Sequence, residues 1–556
     1  MARVLLLLLL LMAPASAQRF VVVAFHDVAD SRDQLTADAV TSSTLVTFFD
    51  WLKAERWNPV SLDDIAAARE GRRPLPERAI LITFDDGYRS TYTRVFPLLL
   101  AYRYPAVVAL VGAWMDVPAG GTVTYGDQPR PREDFITWAE AREMQASGLV
   151  EFASHSYGLH STVLGNPQGN LLPAAAAWAY DATTGRYEDD AALRRRVDRD
   201  LRRAAALMRR ELGRAPRALV WPFGRYSGPA LEAAQAAGFR FTLTLDPEPA
   251  DAQRPLTIGR FYPSQAPDLA ALATNLRFRA EAPPAMRLLC LDPGVIAAAG
   301  DMAAQDEKLG QVIEAIRLLG PNLVALDGHA RMADGSLGPA WYPSRFTPSG
   351  ADILGRLVWQ IRTRGGADAY VRLSLDAAAA SLGEQRIPDL VTEMLRHAPA
   401  DGLMLEGAGG LAAAPPGPPR DPAPWVVRQR RAQPLALDQR GQWALMAMRR
   451  AEALRPGLRL MVTSEAEPLA GTWPAPLADL VLRPQVALGD SGWAAPAARS
   501  RLLLDLADSP RPVEALRSVQ ATGVTGLAYC EGGAAALADA ARRGPAFSSA
   551  AYPLRP

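Results

Sequence analysis

The sequence predicts an α/β chain in two successive halves, each built on parallel strands wrapped by helices. Three observations predict it. Short, near-continuous apolar runs recur along most of the chain, helical patterns with capping residues separate most of them, and a Pro-Pro break at 265–285 parts the runs into two series. Apolar runs without polar alternation are strands buried on both faces, which crossover helices require.

The first series is FVVVAF (20–25), AILITF (79–84), AVVALVG (106–112), LVEFAS (149–154), ALVWPF (218–223), FRFTLTL (239–245) and LTIGRFY (256–262). Ser43 is placed to cap the segment holding Phe48, Phe49 and Leu52, and Thr137 to cap WAEAREMQAS, with Gly148 ending it. The result is a parallel sheet, open or closed into a barrel. Residues 161–190 have weak periodicity and read as a long loop over one face. The following AALRRRVDRDLRRAAALMRREL is an amphipathic helix whose charge run is a solvated face rather than an anion site.

The second series is RLLCLD (287–292), LVALDG (323–328), AYVRLSL (369–375), GLMLEG (402–407), LRLMVTS (458–464), a poorer stretch at 479–488, RLLLDL (501–506) and GLAYCEG (526–532). Eight strands with helices between them fit a (β/α)8-type barrel. The Pro-rich stretch 412–434 reads as a surface loop.

Composition narrows the class. The chain has 556 residues, with 60 Lys and Arg against 59 Asp and Glu, so no basic surplus argues for nucleic acid. MARVLLLLLLLMAPASAQ has a basic start, a short apolar core and a small-residue Ala15-Ser16-Ala17 site, the pattern of a secretory signal cleaved after Ala17. No lipid-anchor cysteine follows it, and no later run is long enough to span a membrane. The expectation is an exported, periplasmic protein divided into a signal (1–17), a first domain (18–275), a linker (276–285) and a second domain (286–550). Cys290 and Cys530 read as small buried residues; a bridge between them requires the second domain to close, making its first and last strands neighbours.

Chemistry-bearing residues collect where strands stop. His26 follows VVVAF, Asp85 and Asp86 follow LITF, and His155 and His160 follow VEFAS. In α/β folds ligands bind beyond the carboxyl ends of the strands. A lone histidine is usually a hydrogen-bonded, half-buried side chain, but three histidines and two aspartates at strand ends form a constellation. Two His and one carboxylate make an open divalent-metal site suited to zinc, nickel, cobalt or iron.

TFDDG, SHSYGLH and VWPFG resemble the motifs of carbohydrate esterase family four, the polysaccharide deacetylases. AFHDV, GNPQGNLLPAAAAWAYDATTGRYEDD and LGPNLVALDG are similar to one branch, the periplasmic poly-β-1,6-N-acetylglucosamine N-deacetylases of biofilm exopolysaccharide systems. The resemblance implies a distorted (β/α)7-type deacetylase barrel followed by a glycosidase-like (β/α)8-type barrel. It implies Asp86, His155 and His160 as ligands of one divalent metal, Asp85 as general base and His26 as the acid for the leaving amine. Asp27 then either orients His26 or caps a turn. Where many members carry an arginine holding the base, this chain has Val220, which leaves Asp85 without that partner. Trp221, Pro222 and Phe223 are expected to wall a sugar groove, with Tyr88 and Arg89 lining it.

In the resembling branch the second domain carries adjacent aspartates after its fourth strand. Here GLMLEGAGG keeps only Glu406. Asp292, Asp327, Asp376, Glu465 and Glu531 also fall at or near strand ends, beside His329 and Trp341-Tyr342. Asp292, Asp327, Trp341 and Glu406 are the glycan-binding candidates, and the domain is expected to bind or guide glycan rather than cut it. The implied partners are an N-acetylglucosamine polysaccharide and an outer-membrane export porin. The rival readings are a deacetylase of another N-acetylated glycan, such as peptidoglycan or chitin oligomers, and a non-catalytic glycan-binding export factor.

Overall fold

Seven parallel strands organise the first half: β1 (Arg19–Phe25), β2 (Ala79–Phe84), β3 (Ala106–Leu110), β4 (Val150–Ser154), β5 (Ala218–Val220), β6 (Phe241–Thr244) and β7 (Ile258–Gly259). Each pairs in parallel with the next in chain order. The computed structural model describes residues 18–246, 250–263, 268–278, 286–407, 439–464, 479–482, 502–505, 526–530, 537–540 and 544. The chain divides into two compact units. The first holds residues up to 162 with 173–176 and 189–281, and the second holds 163–172, 177–188 and 282 onward.

In the first unit the ring closes just past β7. Phe261 bridges Val23 in parallel, its amide donating to Val22 O at 2.7 Å and its carbonyl accepting from Ala24 N at 2.8 Å. Side chains alternate between the two faces of the strands. Val23, Ile82, Val108 and Phe152 pack with Leu45, Phe48, Phe49, Leu99, Met144 and Met208 from the helices. Val22, Leu81, Val107, Ala153, Val220 and Ile258 form the other cluster. Helix starts follow local chemistry. Thr41, not Ser43, caps the helix Ser42–Ala54, its Oγ1 accepting from Thr44 N, because the helix begins too early for Ser43 to stand outside it. Thr137 and Glu140 form a reciprocal capping box on Trp138–Ala146. In the helix Asp190–Leu212, Leu193, Val197, Leu201, Ala204, Met208 and Leu212 are buried at helical spacing, while exposed Arg202 pairs with Asp198 at 2.8 Å.

The second unit is a closed eight-stranded barrel. Its strands are β8 (Met286–Leu291), β9 (Leu323–Asp327), β10 (Asp368–Ser374), β11 (Gly402–Glu406), β12 (Arg459–Ser464), β13 (Asp479–Leu482), β14 (Leu502–Asp505) and β15 (Gly526–Tyr529), in chain order. Met286, Leu288, Ala325, Tyr370, Met404, Met461 and Ala528 cluster with Cys290 and Cys530. Those cysteines are joined by a disulfide, which corrects the expectation of two free buried residues: closure brings β8 beside β15. The segment 161–190 is also more ordered than a loop. It holds two short antiparallel ribbons, Thr162–Leu164 with Leu171–Pro173 and Tyr180–Asp181 with Arg186–Tyr187. Within the second unit, Tyr187 Oη donates to Asp352 Oδ2 at 2.7 Å, and the Arg455 guanidinium lies over Trp178. The stretch 412–434 and the residues Glu465 and Glu531 lie outside the described residues. Among the described residues no helix is long and apolar enough to cross a membrane.

Candidate active site

The carboxyl ends of β1, β2, β4, β5 and β7 bring one set of side chains together. Asp86 and Gly87 both have positive φ, 70° and 69°, so the chain turns sharply as it leaves β2. A side chain at Gly87 would place its Cβ 2.7 Å from Leu110 Cδ2. Six non-glycine residues have positive φ among the described residues, and three of them, Asp86, Ser156 and Phe223, frame this site. Strain of this kind persists where surrounding structure over-determines it, and it concentrates at working sites.

Asp86, His155 and His160 offer ligand atoms within 4.8 Å of one another. Asp86 Oδ1 is 3.4 Å from Nε2 of His155 and 3.4 Å from Nε2 of His160. That oxygen is buried and has no hydrogen-bond partner, as a metal-facing atom should be. His155 Nδ1 donates to Val220 O at 2.7 Å, which leaves its Nε2 lone pair for a cation. Burial pushes the His155 imidazole down to about 4, against the nearby aspartates, so it is neutral as a ligand must be. The donor set fits a divalent ion. The turn carrying the histidines is pinned from outside: Asp200, on the Arg-rich helix, accepts from the amides of Tyr157 at 2.8 Å and Gly158 at 2.7 Å.

Asp85 has different surroundings. Arg260, just past β7, donates from Nη1 to Oδ1 at 2.8 Å and from Nη2 to Oδ2 at 2.9 Å. Both residues are fully buried. The same guanidinium bonds Thr83 Oγ1 and Thr244 O. This corrects the expectation that Asp85 stands without a partner: the arginine comes from a different strand. The signal in the sequence is an arginine inside the otherwise apolar LTIGRFY. Burial alone would raise the Asp85 carboxyl, but the Arg260 charge, helped by His155 and His26, holds it far below the ordinary carboxylate range.

His26 Nε2 lies 3.9 Å from Asp85 Oδ2, with the ring edge-on to Tyr262. Asp27 does not orient it. Asp27 Oδ1 accepts from Val28 N and Ser90 Oγ and so fixes a turn. The groove wall contracts to one residue. Trp221 is fully buried and stacked on Tyr226, and Pro222 and Tyr88 are buried too. A buried indole has no face to offer a sugar, whereas Phe223 is 42% exposed with its ring 4.6 Å from that of His160. Arg89 is turned to Glu140 at 3.0 Å.

In the second unit the candidates are tied to one another rather than displayed. Arg372, on β10, donates to both oxygens of Asp327 at 2.6 Å and contacts Glu406 at 3.5 Å. Arg331 also reaches both Asp327 and Glu406. Asp327 and Glu406 are buried, so they are parts of a charge network and not a sugar-facing surface. Asp292 Oδ1 accepts from Gly294 N at 2.8 Å, closing a turn. Trp341 remains partly exposed, and His329 and Tyr342 pack on each other inside.

Two families match successive stretches of the chain. Residues 72–242 match the polysaccharide deacetylase family, and residues 299–403 match a family described as hypothetical glycosyl hydrolase family 13. The chain is 35% identical over 352 residues to a poly-beta-1,6-N-acetyl-D-glucosamine N-deacetylase of Escherichia coli K12, covering 63% of this chain and 52% of that protein. It thus spans about half the length of that relative. A solved deacetylase domain from Bordetella bronchiseptica is 43% identical, covering 45% of this chain and 97% of that one, with a TM-score of 0.40. A de-N-acetylase from Aggregatibacter actinomycetemcomitans is 34% identical, covering 46% of this chain and 99% of that one, with a TM-score of 0.43. By its matched residues, the first unit of this chain belongs to the polysaccharide deacetylase family.

Proposed function

We propose that the chain is a divalent-metal-dependent N-deacetylase of an exported N-acetylglucosamine polysaccharide, with the poly-β-1,6-linked polymer preferred. One observation carries the reading: a partnerless buried Asp86 oxygen faces two imidazole nitrogens, beside a second carboxylate that has its own arginine. A bound zinc, nickel, cobalt or iron ion would supply a water of lowered pKa and a positive charge facing the acetyl oxygen. Asp85 takes the proton of the attacking water. A carboxylate held so low is a weak base, and it suffices only for a water already made acidic. The attack adds water across the amide, the C–N bond breaks, and His26 gives the leaving amine its proton, so acetate and a free amine result. Phe223 supplies an exposed ring against which a sugar can stack.

The leader at 1–17, the periplasmic location, the export porin as partner and the domain limits 18–275 and 286–550 belong to the same proposal. Acetate release from β-1,6-linked N-acetylglucosamine oligomers, with and without chelator, tests it. Chelator-sensitive release supports the reading. Release from chitin oligomers or peptidoglycan alone would move the substrate to another N-acetylated glycan. Glycan binding without release, with metal supplied, would make the chain a non-catalytic export factor.

A further inference from the structure

We propose that Tyr125 dictates how Asp86 presents itself to the cation, restricting that carboxylate to a single ligating oxygen; this rests on reading Asp86, His155 and His160 as the metal site. The two oxygens of Asp86 face different surroundings. Oδ1 has no hydrogen-bond partner and lies 3.4 Å from each imidazole Nε2. Oδ2 accepts a hydrogen bond from Tyr125 Oη at 2.8 Å. Tyr125 ends the first strand of an antiparallel hairpin, Thr122–Tyr125 with Gln128–Pro131, which reaches the site from outside the barrel strands. Its ring lies 5.2 Å from Trp114, 5.6 Å from Tyr88 and 6.0 Å from His160, centre to centre. Three rings therefore hold the phenol where its hydroxyl meets Oδ2.

The consequence is a count of ligands. With Oδ2 engaged by a donor, the chain offers the cation two nitrogens and one oxygen, and places remain for water and for the acetyl oxygen. Without the hydroxyl, Oδ2 is free to turn to the same cation, so the carboxylate grips with both oxygens and one open place is lost. Tyr125 is thus a positioning residue that acts through Asp86, in the manner of outer-shell partners at other metal sites.

The test uses the full chain loaded with cobalt(II), whose visible absorption is strong at low coordination number and weak at high. Tyr125→Phe keeps the ring and removes only the hydroxyl. Its cobalt absorption is expected to fall several-fold, the mark of a higher coordination number. An unchanged spectrum in Tyr125→Phe, with the metal-free variant unfolding at the wild-type temperature, would overturn the proposal. If the variant does not fold, the wild-type chain decides by infrared difference spectroscopy, with the Asp86 carboxylate bands identified by their loss in Asp86→Asn. A wide splitting of the two carboxylate stretches shows one-oxygen ligation and supports the proposal, and a narrow splitting overturns it. A wild-type chain that takes up no divalent ion would refute the metal site itself, an outcome distinct from a loaded site indifferent to Tyr125.

Discussion

Asp85 and Asp86 are adjacent in the chain, yet opposite neighbours separate their chemistry. Asp86 Oδ1 is left for a cation, while both oxygens of Asp85 are taken by Arg260. Asp85→Asn should lower kcat by about 10²- to 10⁴-fold while metal content stays at wild-type level. Asp86→Asn should instead lose metal; measuring bound metal beside turnover separates the two, and the reverse pattern would exchange their roles. Arg260 makes a sharper prediction. Its charge keeps Asp85 ionised to low pH, so Arg260→Met should raise the Asp85 pKa and move the acid limb of the kcat/KM profile to higher pH. Removing one partner of a buried pair should also cost about 3–5 kcal/mol of first-unit stability, read by urea unfolding. An acid limb that stays in place would show that Arg260 does not control the base. His26, Asp85, Asp86, His155 and His160 are legible in the sequence because each stands where an apolar run stops. Arg260 stands out in LTIGRFY, but its pairing with Asp85 is not legible, because the two lie 175 residues apart and only barrel closure brings them together. Trp221 misleads for a related reason: an aromatic at a strand end reads as a groove wall until the packing of Tyr226 covers it.

At the scale of elements, helices and strands are legible wherever burial is periodic, and the segment 161–190 is not, since its ribbons are too short to show a pattern. Tyr187 in that segment is held by Asp352 and packs edge-on against His397, whose ring also stacks on Tyr342. This small polar group inside the second unit gives it a pH response with a definite sign. Burial lowers His329 and His397 to about 4. Their unfolded values lie near 6.5, so between those limits the unfolded chain binds the extra protons and stability falls as pH falls. Asp352 acts the other way. Burial raises it to about 6, so the folded form binds its proton first and gains stability as pH drops below that value. Each shift of near two pKa units is worth on the order of 3 kcal/mol, and two histidines oppose one carboxylate. The urea midpoint of the second unit should therefore fall between pH 6.5 and 4.5. His397→Gln should flatten that fall and Asp352→Asn should steepen it; a midpoint that rises on acidification would refute this balance.

For the whole molecule, strand number and order are readable from the sequence, and eight strands point to a closed second barrel, but closure of the first ring stays open there because no local pattern records which strands meet last. Phe261 on Val23 closes one ring, and β15 on β8 closes the other with a disulfide whose loop spans 240 residues. A bridge over so long a loop should stabilise the second unit by about 2–4 kcal/mol, so Cys290→Ser should lower its unfolding midpoint while leaving that of the first unit unchanged. The second barrel also sets a limit on function. Cleaving a glycosidic bond takes two carboxyl groups, one of them protonated near neutral pH to serve the leaving oxygen. Asp327 and Glu406 end β9 and β11, on either side of β10, and would be the natural pair. Arg372 on β10 lies between them and, with Arg331, binds both. Burial would raise Asp327, but the two guanidinium groups override it and hold the carboxyl below its ordinary value. A carboxyl that gives up its proton so readily cannot serve as the acid. The second unit should accordingly release no shorter products from β-1,6-linked glucosamine oligomers, whether acetylated, partly deacetylated or fully deacetylated, as followed by mass spectrometry over a long incubation. Cleavage that disappears in Glu406→Gln would show that the charge network opens in solution and that this barrel is a hydrolase after all.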